Sequence, residues 1–326
     1  MSENPQDLGG PERVRRTLHN METYVGYVPG FRRAHARGIA LRGRFEATAE
    51  VAALTMAEHM RGDAVAVVVR LSNGAGNPYT VDRSSVKRGA VLGLAVRFEL
   101  PSGAGAEWAA LNIADFPARE PEDFTGLSAA QRRGLPTGLP NPLRLGAYVA
   151  THPQCAPGLK AILTMAPSQS FATASFNGLH AYHLVDSAGT RRAFRYRWEA
   201  VAEPAGISPE EDRVLPPQYL LSEIKLRVAR EPVAWDLVLQ MAGPGDPVDD
   251  MTKHWPQERR RLPAGRLVLD RLHEDQELVE RSMFDPTNQP PGIALSDDPV
   301  LHFRSESYLE SQRRRQVETK PAVKPE

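Results

Sequence analysis

Residues 284–315 read FDPTNQPPGIALSDDPVLHFRSESYLESQRRR, with Tyr308 inside the last two-thirds of the run. Asp297 and Asp298 stand before Pro299 like an N-cap followed by a first-turn proline, and neither Gly nor Pro interrupts the chain again until the tail. The spacing predicts a helix from there. At ~100° per residue, Arg304, Tyr308, Ser311 and Arg315 fall within roughly 60° of one another, so one face carries a phenol between two guanidiniums and a hydroxyl. That is an odd face for a core helix.

Two readings of a Tyr four residues after an Arg are open. One is a half-buried Tyr beside a solvated Arg. The other is a phenolate that binds a metal, with the cations offsetting its charge; tyrosinate is a known proximal ligand of haem iron.

The rest of the chain bounds the choice. With 326 residues, 41% hydrophobic and 25% charged, it can bury a sizeable core. Forty basic and forty acidic residues cancel, so no global field recruits nucleic acid or an anionic membrane. The longest apolar run, residues 64–69, is far short of a membrane span, and residues 1–10 lack the parts of a signal peptide. The lone cysteine, Cys155, excludes an internal disulfide and suits a reducing compartment, so a cytoplasmic setting is expected.

Read in order, residues 11–23 predict a short amphipathic helix. Strands are predicted at 43–48, at the β-branched run 64–72, where alternation sends Arg70 and Ser72 to one face, and at 93–98 and 108–112. Residues 120–153, rich in Gly and Pro, are expected to be a connecting excursion with one short helical piece near 128–133. A helix near 157–165 precedes strands at 176–182 and 193–200, joined by a turn at 186–189. A helix at 216–230 and short strands at 233–240 and 267–270 follow. Strands early and helices late suggest an α+β fold with an antiparallel barrel.

Several stretches together resemble the haem catalases, and among them the short catalase-like peroxidases. They are Phe31-Arg32-Arg33-Ala34-His35-Ala36-Arg37-Gly38, Thr252-Lys253-His254-Trp255-Pro256, Gly265-Arg266-Leu267-Val268-Leu269, Phe284-Asp285-Pro286-Thr287-Asn288 and Pro291-Gly292-Ile293, then Asp298, Arg304 and Tyr308, in the family's order over roughly residues 24–315. The resemblance implies an eight-stranded antiparallel β-barrel with surrounding and C-terminal helices. It implies haem b, with Tyr308 as phenolate ligand of the iron and Arg304 beside it, and with His180 and Asp298 as a relay to Arg304. Arg32, Arg70 and Arg315 match positions that pair with the haem propionates, and Phe116 and Phe124 would line the approach. His35 would shuttle a proton on bound hydrogen peroxide, Asn112 would orient the peroxide and Ser72 would fix the His35 ring.

On this footing residues 1–23 are expected to form an N-terminal helical arm and 24–316 the haem domain. Its barrel is expected at about 30–200 and its helical and wrapping part at about 201–316, with 317–326 a disordered tail. The expected activity is that of a peroxidase reducing hydrogen peroxide, or organic hydroperoxides, with an organic electron donor and with weak catalase activity. A non-catalytic haem-binding or peroxide-sensing protein, or an enzyme rearranging fatty-acid hydroperoxides, stands as the alternative. A homodimer is expected in place of a threaded tetramer. Ala90 and Leu92 depart from the family's usual aspartate and arginine before Gly93, which bears on peroxide delivery.

Overall fold

The computed structural model describes residues 10–25, 27–80, 82, 91–131, 133–134 and 139–318. Its first half holds α1 (Gly10–Val25), β1 (Arg37–Ala47), α2 (Ala49–Ala52), β2 (Val65–Asn73), β3 (Leu92–Glu99) and β4 (Glu107–Leu111). Then come α3 (Pro121–Ala130), β5 (Arg133–Gly134), β6 (Leu139–Pro140), α4 (Pro142–Thr151), α5 (Ala156–Thr164), β7 (Phe176–Val185) and β8 (Arg191–Ala200). The second half holds α6 (Pro209–Val214), α7 (Tyr219–Val228), β9 (Val233–Met241), β10 (Arg261–Leu272), α8 (Gln276–Arg281), β11 (Ile293–Leu295) and α9 (Pro299–Val317).

Eight strands close in the order β7-β4-β3-β2-β1-β10-β9-β8, with β8 pairing back to β7 and β11 added outside β7. Every pairing is antiparallel. Strand alternation fills the interior: Val67, Val69 and Leu71 of β2 point into it beside Phe45, Phe98, Trp108, Trp198 and Trp235. The other face of β2 is covered too, since Val68 packs with Ala40, Val279 and Phe284. Coverage on both faces is why the β2 sequence runs apolar without alternation, and each valine so buried contributes about 1.5–3 kcal/mol. Arg70 and Ser72 share this second, outer face, and both are buried there.

Three expectations need correction. The barrel extends well beyond residues 30–200, because β9 and β10 are two of its staves. β10 is twelve residues long where a short strand at 267–270 was expected; Pro263 and Gly265 sit at a register shift that breaks the pattern without ending the strand. Residues 120–153 are no loose excursion either: α3 and α4 are each ten residues long. Their prolines, Pro121 and Pro142, stand in the first helical turn, after a Glu120–Asp123 capping box and the Asn141 cap respectively, where proline starts a helix.

At the C-terminal end α9 begins as expected, with the Asp298 side chain accepting from Val300 N and Leu301 N. Its first turn is seated by Leu301 in the barrel core, Val300 against Leu179 and Met251, and Phe303 against Val14 and Leu18 of α1. Glu318, just past the helix, accepts from Arg33, Gly30 N and the Tyr27 hydroxyl. The remainder of the expected tail, residues 319–326, lies outside the described residues, as does Ala90.

Candidate active site

His35 sits in the loop that leads into β1, at φ 52°, the one non-glycine residue with positive φ among those described. That conformation costs about 1–2 kcal/mol and persists only where surroundings impose it. Here Gly74 O accepts from His35 N at 3.4 Å, Ala75 O accepts from Ala36 N at 2.8 Å, and Arg70 Nη2 donates to His35 O at 2.9 Å. The ring is fixed from β2, with Nδ1 2.9 Å from Ser72 Oγ. Burial, followed by the charges of Arg70, Arg304 and Arg32, pushes His35 down to about 3, so its imidazole is neutral at ordinary pH. Asn112, just beyond β4, accepts from Leu92 N through Oδ1 at 2.7 Å, and its own N–H donates to Leu92 O at 3.1 Å, so the main chain of Leu92 orients the amide.

The three arginines from distant parts of the chain meet. Arg32 Nη2 donates to the carbonyls of Val279, Glu280 and Ser282 at 3.1, 3.2 and 2.9 Å, the carbonyls at the end of α8. Arg315 Nη1 donates to Glu280 O at 2.7 Å. Arg70 grips the Glu280 carboxylate with two bonds, Nε to Oε1 at 2.7 Å and Nη2 to Oε2 at 3.1 Å. Beside them opens a cavity of about 610 Å³, lined in part by Arg32, Arg37, Glu280, Arg281, Arg315 and Glu318; His35 and Tyr308 do not line it.

On α9, Arg304 donates to the Tyr308 oxygen from Nε at 3.1 Å and from Nη2 at 2.7 Å, one helical turn apart as the spacing predicted. Burial works against the Arg304 charge; the Tyr308 oxygen, with Tyr182 and Tyr196 beyond it, outweighs burial and holds Arg304 above the ordinary arginine value. The phenol oxygen is thus an acceptor of two charge-assisted bonds. His180 Nδ1 lies 2.7 Å from Asp298 Oδ2. The relay is shorter than expected: His180 Nε2 is buried without a hydrogen-bond partner among the described residues, and the Arg304 charge acts on His180 without a bond between them. Phe116 and Phe124 stack at 5.7 Å, and Phe116 packs by Leu179 and Val300, toward the start of α9.

The charge of Arg304, bonded to Tyr308, also lowers the proton affinity of the His35 ring. These side chains suit a ferric porphyrin. A phenol oxygen under two guanidinium donors is a hard anionic ligand for iron. Arg32 Nε is buried with no hydrogen-bond partner among the described residues, 3.6 Å from a Glu280 oxygen and beside a cavity that Arg315 also faces, and guanidiniums so placed are the groups that would pair with carboxylates.

Sequence reasoning missed Glu280, whose partner Arg70 is 210 residues away. It also missed the tie that holds α9. Ser305 Oγ donates to Asp285 Oδ2 at 2.6 Å, Asp285 N donates to Glu107 Oε2 at 2.8 Å, and Glu107 in turn takes Arg97 Nε at 2.6 Å. Acidic residues in ordinary helix, strand and loop positions gave no signal of either.

The sequence profile described as Catalase matches residues 27–320. A protein of Mycolicibacterium paratuberculosis named catalase-related peroxidase is 34% identical over 293 residues, covering 88% of this chain and 89% of that one. Another of that name from Synechococcus elongatus is 29% identical over 306 residues, covering 94% and 88%. Among solved structures, a fungal catalase superposes with a TM-score of 0.78 at 22% identity over 89% of this chain and 59% of its own. Catalase A from Saccharomyces cerevisiae gives 0.77 at 21% over 89% and 62%. At those identities the superpositions establish the fold.

Proposed function

The chain belongs to the catalase family, and from that premise we propose that it is a haem b peroxidase that reduces hydrogen peroxide or organic hydroperoxides with an organic electron donor, dismuting peroxide weakly. The observation that carries this is the Arg304–Tyr308 pair, whose charge reaches His35 while Ser72 holds the imidazole. Bound haem would supply the iron and the redox chemistry that peroxide reduction with an organic donor needs.

The chain's own residues do the rest. His35, kept neutral, takes a proton from peroxide and returns it to the leaving oxygen. With Nδ1–H donated to Ser72 Oγ, Nε2 is the bare base. Asn112, its carbonyl engaged by Leu92 N, offers amide N–H to orient the peroxide. Tyr308 would hold the iron as phenolate, with Arg304 offsetting the charge. Arg32, Arg70 and Arg315 supply the cationic edge for the propionates.

The relatives' shared name favours turnover with a donor over a silent sensor or a rearrangement of fatty-acid hydroperoxides. We place the protein in the cytoplasm on the strength of its single cysteine and take it to be a homodimer, which light scattering tests. The deciding experiment is the absorption spectrum of the haem-loaded protein beside dye oxidation by peroxide. A high-spin ferric spectrum altered in Tyr308→Phe, with oxidation lost in His35→Ala, is expected. An unchanged Tyr308→Phe spectrum sinks the ligand assignment, and unchanged oxidation in His35→Ala sinks the role of the base.

A further inference from the structure

Glu280 is the one carboxylate that hydrogen-bonds any of Arg32, Arg70 and Arg315 among the described residues. Its carboxylate takes Arg70 through two parallel bonds and lies 3.6 Å from Arg32 Nε, and its main-chain oxygen accepts from both Arg32 and Arg315. Among the described residues, Arg32 and Arg315 otherwise donate only to main-chain carbonyls. Three guanidiniums are therefore gathered on one residue, and the one carboxylate bonded to them offsets one of their three charges; Glu277 and Glu318 also line the cavity, but are paired with Arg281 and Arg33 respectively. Arg70 carries the contact onward, since the same Nη2 that bonds Glu280 donates to His35 O.

We propose that Glu280 is a positioning residue that gathers this arginine cluster and trims its charge to that of a dicarboxylate, the two propionates of the porphyrin. The inference rests on the haem reading above. Without the Glu280 charge no carboxylate among the described residues bonds the three cations in their partly buried setting, which destabilises the unloaded protein and strengthens its pull on a dianion. An ordinary structural ion pair would lower the stability of unloaded and loaded protein alike and would leave ligand choice unchanged.

Metal-free protoporphyrin IX and its dimethyl ester test this, because the iron–Tyr308 bond plays no part and the two probes differ in their carboxylates. Affinities for both are measured with the full chain, for the wild type, Glu280→Gln and Glu280→Asp. Glu280→Gln is expected to raise the preference for the diacid over the diester about tenfold, as one added charge a few ångströms from partly screened carboxylates should. Glu280→Asp, which keeps the charge, is expected to restore the wild-type preference. If Glu280→Gln does not fold unloaded, the diacid should rescue folding and the diester should not; rescue by both or by neither overturns the proposal. An unchanged or reduced preference in folded Glu280→Gln overturns it while leaving the haem reading intact. Failure of the wild type to bind either porphyrin overturns the Glu280 proposal, and failure to bind haem as well overturns both.

Discussion

Ser72 Oγ lies 2.9 Å from Nδ1 of His35, a bond between a barrel strand and a loop residue held at positive φ. Ser72 is buried on β2, so the orientation of the imidazole is inherited from the barrel wall. The bond engages Nδ1, so Nε2 is the ring nitrogen left to act as base in the tautomer that donates Nδ1–H to Ser72.

Removing the base and removing its support should therefore differ in degree. His35→Ala is expected to lower kcat for donor oxidation by about 10²–10⁴, the usual worth of a positioned acid–base group. Ser72→Ala, which frees the ring without deleting it, is expected to cost about 10–100-fold. Steady-state rates at matched haem content check both. A Ser72→Ala enzyme with full kcat would show that the ring is held by something else.

Gly93 closes over the same pair. A Cβ there would stand 2.8 Å from Cε1 and Nδ1 of His35 and 2.9 Å from Ser72 Oγ, closer than real contacts allow. Gly93→Ala should force the two side chains apart while leaving the β2–β3 ladder paired, lowering stability by roughly 1–3 kcal/mol and activity in step with Ser72→Ala. Denaturant unfolding and donor oxidation measure the two effects. Full activity with an unshifted midpoint would mean that the loop yields without moving the ring.

The pH dependence of turnover follows from the electrostatics around His35. Burial and the cations Arg70, Arg304 and Arg32 hold its conjugate acid down at about 3. The base is then unprotonated throughout the mildly acidic range, and the rate per loaded molecule should stay level between about pH 5 and 7. A protonation limb centred near the ordinary histidine value, absent from His35→Ala, would contradict the buried and cation-flanked placement.

The elements that sequence alone made legible are those whose cause is local. The phenol-bearing face of α9 follows from helical spacing, the Asp298 cap from the residue before Pro299, and β2 from a run of β-branched side chains. Where local cues were ambiguous, the expectation failed. Pro121 and Pro142 look like breakers and are first-turn prolines, and Pro263 and Gly265 hide a bulge inside a long strand. The arginine cluster was legible only in part. Resemblance singled out Arg32, Arg70 and Arg315, yet nothing near Glu280 in the sequence points to partners on β2 and α9. The distance of Arg70 along the chain makes that contact a property of the closed barrel and the α8 that packs on it.

His59 gives a stability prediction independent of haem. It lies fully buried, ring centroid 4.4 Å from Phe98 and 5.8 Å from Trp108, with both nitrogens lacking a hydrogen-bond partner among the described residues. Burial pushes it down to about 3. Above the unfolded value of ~6.5 both states are neutral and the residue adds no pH dependence. As pH falls from there toward 3, the unfolded chain takes up a proton that the folded barrel refuses, so stability drops by roughly 1.4 kcal/mol per pH unit. His59→Leu removes that proton uptake and keeps an apolar side chain against Phe98. Its stability relative to the wild type should improve by about 2 kcal/mol between pH 7 and pH 5, as measured by urea unfolding at the two pH values. A difference that does not change with pH would mean that the folded core accepts the proton, and that His59 has a route to solvent or a partner that its closed surroundings deny.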